Sequence, residues 1–287
     1  MRRGGIVRKL LIFLLFEIAI ILLIYPYLSN YLFENRADSI VSTVNRITQE
    51  ADDSERQSEM KAARNYNHMI AGGHIQLKDP FIEDQLHEEA GEYASLLSMT
   101  EDGVMGFLEI PSIAVSLPIY HGTSERVLEN GAGHLQGTSL PIGGEGTHTV
   151  LTGHTGLSHA KLFSDLTELV KGDIFFLNVW GERLAYEVDQ INVVLPGELS
   201  NLRVESGKDY CTLVTCTPYG VNTHRLLVRG SRTEAKEGVE KSEILQEKKR
   251  ESRWLAEYKL ALRLSGSCFV ICLLVMKWVR YFRKGQR

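Results

Sequence analysis

The sequence predicts a mainly β fold, a closed or nearly closed barrel, with a helical region before it and an apolar segment on either side. Two observations carry the barrel. Between residues 104 and 232, seven or more short apolar runs are separated by turn residues such as Pro111, Gly143, Gly144 and Gly181. Only one helical stretch interrupts them, around residues 160–170, ended by Gly172. Many short strands with little helix bury their apolar faces best by closing on themselves. A third observation supplies the flanks: charge is so unevenly spread that two stretches are almost free of it.

Taken in order, residues 1–9 are a basic tail holding Arg2, Arg3, Arg8 and Lys9. Residues 10–33 carry one charge, Glu17, and are long enough to cross a hydrocarbon core of about 30 Å as a helix. The basic tail should keep the N-terminus in the cytoplasm. The run ends in Pro26, Tyr27, Tyr31 and Phe33 with no small-x-small cleavage site after it, so it reads as a retained anchor rather than a removed signal. On either reading the following chain is exported.

Residues 34–103 read as helical. Ile40, Val44, Ile47, Met60, Ala63 and Tyr66 keep a helical period among many charges from Ala37 to about Ala71, and Gly72 and Gly73 stop it. A second short helix is expected after Pro80, with Asp79 as N-cap, and helix again toward Thr100. The barrel, residues 104–232, is built from runs at 105–110, 115–120, 148–152, 174–179, 184–194, 210–215 and 225–228. Residues 233–259 are rich in Glu and Lys, a solvated helix or linker. Residues 260–282 form a second membrane segment if Arg263 and Lys277 snorkel around the thirteen uncharged residues Leu264–Met276. Trp278 and Tyr281 make an aromatic belt, and residues 283–287 are a second basic tail.

The two ends, residues 1–9 and 277–287, hold nine of the 32 basic residues and no acid. The remaining 23 face 36 acids, a net charge of −13, which argues against nucleic acid as a partner. The four cysteines follow no zinc-ligand spacing, and neither metal nor cofactor is implied. Cys268 and Cys272 fall in the second apolar run as lipid-facing or packing residues. Cys211 and Cys216 lie five apart on one apparent strand, so their side chains point to opposite faces and do not readily pair. An unpaired thiol in an exported domain is unusual, because that compartment oxidises; such a cysteine is a candidate nucleophile.

Cys216 closes the run 210–216 and is followed by Thr217-Pro218-Tyr219-Gly220, a turn-forming set. A hairpin centred on Gly220 and Val221 sets Cys216 opposite Arg225, on one face of the sheet. A guanidinium there stabilises a thiolate and the oxyanion of a tetrahedral intermediate. A thiol nucleophile also needs a proton carrier. Of nine histidines, His154 follows a strand-like run after the single Gly153, the same strand-end placement as Cys216. His121, His134, His148, His159 and His224 read as surface or structural, and no Asp or Asn that would orient His154 is evident.

Leu151-Thr152-Gly153-His154-Thr155-Gly156 and Leu213-Val214-Thr215-Cys216-Thr217-Pro218-Tyr219-Gly220, with Arg225 nine residues after the cysteine, resemble the catalytic signatures of the sortase family. Gly106-Phe107-Leu108-Glu109-Ile110-Pro111 and Ala160-Lys161-Leu162-Phe163-Ser164-Asp165-Leu166 resemble its flanking segments, in the family's order, over about residues 104–231. The resemblance implies an eight-stranded barrel and a cysteine transpeptidase. Its expected action is to cleave a Leu-Pro-x-Thr-Gly-type sorting signal between Thr and Gly and pass the acyl group to an amine. It implies Cys216 as nucleophile, His154 as general acid and base, and Arg225 as the group holding substrate and oxyanion.

Asp79-Pro80-Phe81 resembles the lid of class C, pilus-assembling sortases, and the second apolar segment is also similar to theirs. On that reading Asp79 reaches Arg225, Pro80 stiffens the segment and Phe81 fills an apolar groove. The helix N-cap remains the plain alternative. The expected partners are therefore the membrane and pilin subunits bearing a sorting signal and a lysine nucleophile, with the catalytic domain outside the cell. The competing functions are attachment of surface proteins to cell-wall precursor and, beyond these, a hydrolase or a non-enzymatic membrane scaffold.

Overall fold

The computed structural model describes residues 3–72, 77, 79–81, 91–157, 160–234, 259–260, 262–267 and 269. Two compact units divide the chain, one of residues 1–25 and 251–287, the other of residues 26–250.

In the first unit the helix α1 (Arg3–Glu50) begins. It is the one helix among the described residues long and apolar enough to cross a membrane, with a mean hydropathy of 2.5 over its most apolar window and none of that window buried. Residues 259–260, 262–267 and 269 are helical, and Phe16 stacks on Phe269 with ring centroids 4.2 Å apart. The charged linker, most of the second apolar segment, Cys268, Cys272, His159 and the short helix expected after Pro80 lie outside the described residues.

In the second unit, the single helix expected over residues 37–71 is two. α1 ends at Glu50 and α2 (Asp53–Gly72) begins three residues later. The cause is Asp52, whose Oδ1 accepts the Glu55 amide at 2.7 Å and the Ser54 hydroxyl, an N-cap that starts a new helix. Toward Thr100 the expected helix shrinks to α3 (Glu92–Ser95), because Leu97 is buried in the left-handed region at φ 59°. There it receives Trp180 Nε1–H on its carbonyl and gives its amide to Glu59.

Eight strands follow: β1 (Val104–Ile110), β2 (Val115–His121), β3 (Ala132–His134), β4 (Thr147–Thr152), β5 (Ile174–Val179), β6 (Glu182–Val194), β7 (Asp209–Thr217) and β8 (His224–Thr233). They close into a barrel in the order β1-β2-β3-β4-β7-β8-β6-β5. The pairs β2–β3 and β4–β7 are parallel and the rest antiparallel. Seven of these strands coincide with the apolar runs. β3, an Ala-Gly-His tripeptide, has no strand propensity of its own; it is a strand because Gly133 lets the chain pass where a Cβ would meet the Gly122 carbonyl at 2.4 Å.

The helix expected around residues 160–170 is only a 3-10 turn, Ser164–Glu168. Leu162 has φ 42°, and the Lys161 amide donates to Asn30 Oδ1 at 2.8 Å rather than up a helix. Lys161 Nζ donates to the Ile113 carbonyl and pairs with Asp165 at 3.0 Å, both side chains buried.

Alternation along the strands separates two apolar clusters. Leu108, Leu151, Leu213 and Val228 belong to the main core. Their neighbours Val150, Val214 and Leu227 form a second cluster with Leu135 and Leu202, against which Leu77, Phe81, Val194 and Leu199 pack. The second cluster marks the wall of the barrel on which the candidate site stands.

Candidate active site

Strand register brings the three candidates together. On β7 and β8 Cys216 pairs with Arg225, in the register the hairpin arithmetic gives. On the other side of β7, Thr152 pairs with Val214. The ladder continues past the end of β4: the Gly153 amide donates to the Val214 carbonyl at 3.1 Å, and Thr215 Oγ1 donates to the Gly153 carbonyl at 2.6 Å. That offset puts His154 level with Cys216. Imidazole, thiol and guanidinium therefore stand on three consecutive chains of one sheet, about 4.8 Å from one to the next at the backbone. Val194 of β6, paired with Arg225, completes the row. Cys216 shares parity with Val214, and Arg225 with Leu227, so both face the second apolar cluster.

The backbone of His154 is fixed from below. Its carbonyl accepts the Phe163 amide at 3.1 Å, and the Phe163 ring lies so close under Gly153 that a Cβ there would meet it at 2.8 Å. Phe163 is held by the buried Lys161–Asp165 pair on either side of it. Gly156, at φ 81°, lies against the ring of Tyr219 from the β7–β8 turn. His154 Nε2 lies 3.3 Å from Glu125 Oε2, an acid that strand and motif reading passed over because it sits 29 residues upstream.

Cys216 is 9% exposed. Burial pushes its thiol up; the Arg225 guanidinium pulls the other way, and Asp79 adds to the upward push. Cys211, on the opposite face and wholly buried, is pushed well above the ordinary thiol range by burial and then by Asp209. Both thiols are free. Among the described residues no three His, Cys, Asp or Glu side chains cluster where a metal could sit.

Asp79, Pro80 and Phe81 lie over this row. Arg225 Nε donates to both Asp79 oxygens, at 3.2 and 3.1 Å, with the carboxylate only 2% exposed. Arg225 Nη1 donates to the carbonyls of Asn222 and His224. The guanidinium also lies over the Phe81 ring, 5.0 Å from its centroid, and that ring is 5.9 Å from the imidazole of His154. Asp79 Oδ1 accepts the Phe81 amide at 2.9 Å, which makes the segment a tight turn aimed at the site. Beside it a cleft of about 820 Å³ runs between Ile70 and Leu77 on one side and Leu199, Leu202 and Arg203 on the other, with His148 at its floor. The remaining buried histidines are structural. His148 bonds the Arg203 carbonyl and Thr212, while His121 and His134 surround Tyr93.

Comparison with known proteins identifies a family. The family model of the sortase domain matches residues 108–233. Sortase A of Bacillus anthracis is 31% identical over 133 residues, 46% of this chain and 61% of that protein, so this chain spans less than two thirds of that relative. Among solved structures, sortase C-1 of Streptococcus pneumoniae is 44% identical with a TM-score of 0.65, covering 69% of this chain and all of that one. Sortase C-1 of Actinomyces oris is 48% identical with a TM-score of 0.59, covering 63% of this chain and 98% of that one.

Proposed function

This chain belongs to the sortase family, and we propose that it is a membrane-anchored class C cysteine transpeptidase that polymerises pilin. The observation that carries the reading is the row His154, Cys216, Arg225 on adjacent strands, with Asp79 on the guanidinium. The substrate class is supported by the structural neighbours, one described for its pilin substrate specificity and another as pilus-related.

Once Asp79 and Phe81 leave, a Leu-Pro-x-Thr-Gly-type signal lies extended along the outer face of β7. From Cys216 to Thr212 is four residues, about 13 Å of strand, and Thr212 bonds His148, which lines the cleft with Leu199 and Leu202. His154 takes the thiol proton, and the sulfur adds to the threonine carbonyl carbon. Arg225 then stabilises the oxyanion. The C–N bond to glycine breaks as His154 returns the proton to the departing amine, leaving a thioester on Cys216. A pilin lysine amine, losing a proton to His154, attacks that carbonyl; the C–S bond breaks and an isopeptide bond remains. The apolar start of α1 would hold the barrel at the outer surface of the membrane.

The test is to incubate the full chain with a sorting-signal peptide and pilin, and to locate the product by mass spectrometry. The expected product is an isopeptide bond from the signal's threonine to a pilin lysine, absent with Cys216→Ala. Transpeptidation by Cys216→Ala removes the assignment, and transfer only to cell-wall amines replaces the pilin reading with wall anchoring.

A further inference from the structure

We propose that Glu125 is a positioning residue for His154, fixing the tautomer in which Nε2 carries the proton and Nδ1 is the nitrogen that trades a proton with Cys216. The inference deepens, and rests on, the transpeptidase reading above.

The contact has a structural origin. Glu125 opens the short helix α4 (Glu125–Leu128), whose Val127 and Leu128 are buried. Both pack on Gly133 of β3, where a Cβ would meet each of them at 3.0 Å. Gly133 in turn pairs with Thr152, two residues before His154. Pairing of β3 with β4 thus delivers α4 beside the end of the strand that carries the imidazole. The side chain of Glu125 is 65% exposed while that of His154 is 18% exposed. A polar contact so open contributes little to stability, so its effect belongs to orientation.

What the ring needs is a stop to its rotation. The backbone of His154 is already clamped by Phe163 and by the ladder to β7. Among the described residues, the side chains of Phe81 and Glu125 contact the ring. Phe81 belongs to the segment that must leave before substrate enters. Glu125 belongs to the barrel and stays. A carboxylate accepts and never donates when ionised, so it selects a proton on Nε2 and leaves Nδ1 as the base. Such a partner sets tautomer and orientation in the way a carboxylate does in a hydrolase triad.

The full chain, labelled with nitrogen-15 in histidine and with His154 assigned by comparison with His154→Gln, should show a single Nε2–H tautomer. Glu125→Ala should show both tautomers and Glu125→Asp mainly the first. With a Leu-Pro-x-Thr-Gly-type peptide and an amine acceptor, kcat in Glu125→Ala should fall roughly tenfold with little change in KM, the order of loss seen when the outer partner of a metal-bound histidine is removed. Glu125→Asp should recover most of that loss. A single unchanged tautomer in Glu125→Ala overturns the proposal, as does an unchanged kcat. If the wild-type chain turns over no such peptide, the transpeptidase reading fails, and the tautomer comparison still decides whether Glu125 holds the ring.

Discussion

At the residue scale, the chemistry depends on what each polar group can give. Arg225 offers a fork as well as a charge: Nε is on Asp79 and Nη1 on two carbonyls of its own turn. Lysine in its place keeps the charge but cannot make these contacts together. Arg225→Lys should therefore lose on the order of a hundredfold in kcat for peptide transfer, measured against an unchanged melting temperature. The thiol gives a second test. Burial and Asp79 raise Cys216 and Arg225 lowers it. In Asp79→Ala combined with Phe81→Ala, the upward push of Asp79 goes, and the lowering by Arg225 stays. The pH at which iodoacetamide labels Cys216 should shift downward and labelling near neutrality should quicken; an unchanged profile would show that the segment does not cover the thiol. Cys216 and Arg225 were legible in the sequence because a hairpin fixes register by arithmetic alone. Glu125 was not, because its proximity to His154 needs the parallel β2–β3 pairing and a strand with no strand composition.

At the element scale, the legible parts were those whose apolar pattern and environment agree. Seven strands announce themselves by runs bounded by turn residues. The failures each have a local reason that overrides pattern: an aspartate that caps, a left-handed Leu162, a glycine strand that exists only to permit close approach. The segment bearing His154 depends on one such approach. Gly153→Ala would drive a methyl into the Phe163 ring, costing about 1–3 kcal/mol as overpacking does. It should also depress kcat more than Cys216 alkylation, because the ring under the strand sets the height of the imidazole. Equal losses in both assays would mean that the barrel as a whole had been disturbed.

At the scale of the whole molecule, the N-terminal segment is bonded into the barrel by a buried polar network that no periodicity could disclose. The hydroxyl of Tyr93 in α3 is 2.8 Å from His134 Nδ1 and accepts the Gly122 amide, while both His121 nitrogens contact the carbonyls of Gly103 and Leu96. His134 is wholly buried, and burial lowers its pKa to about 4 from 6.5. The folded value lies below the unfolded one, so this contribution is intact above about pH 6.5. It is lost as pH falls to about 4, because only the unfolded chain takes up the proton. The loss amounts to about 3 kcal/mol. Urea titrations of the full chain should show that decline, and His134→Gln should flatten it.

The parallel pairing of β4 with β7 has a further consequence, in the order of events during folding. More than fifty residues separate the end of β4 from the start of β7, and non-local pairings of this kind are slow to close. Until they do, the nascent polypeptide carries a sulfhydryl beside the cation of its own hairpin but without the base. Acyl transfer, which needs imidazole and thiol together, therefore waits on the closing of β4 onto β7.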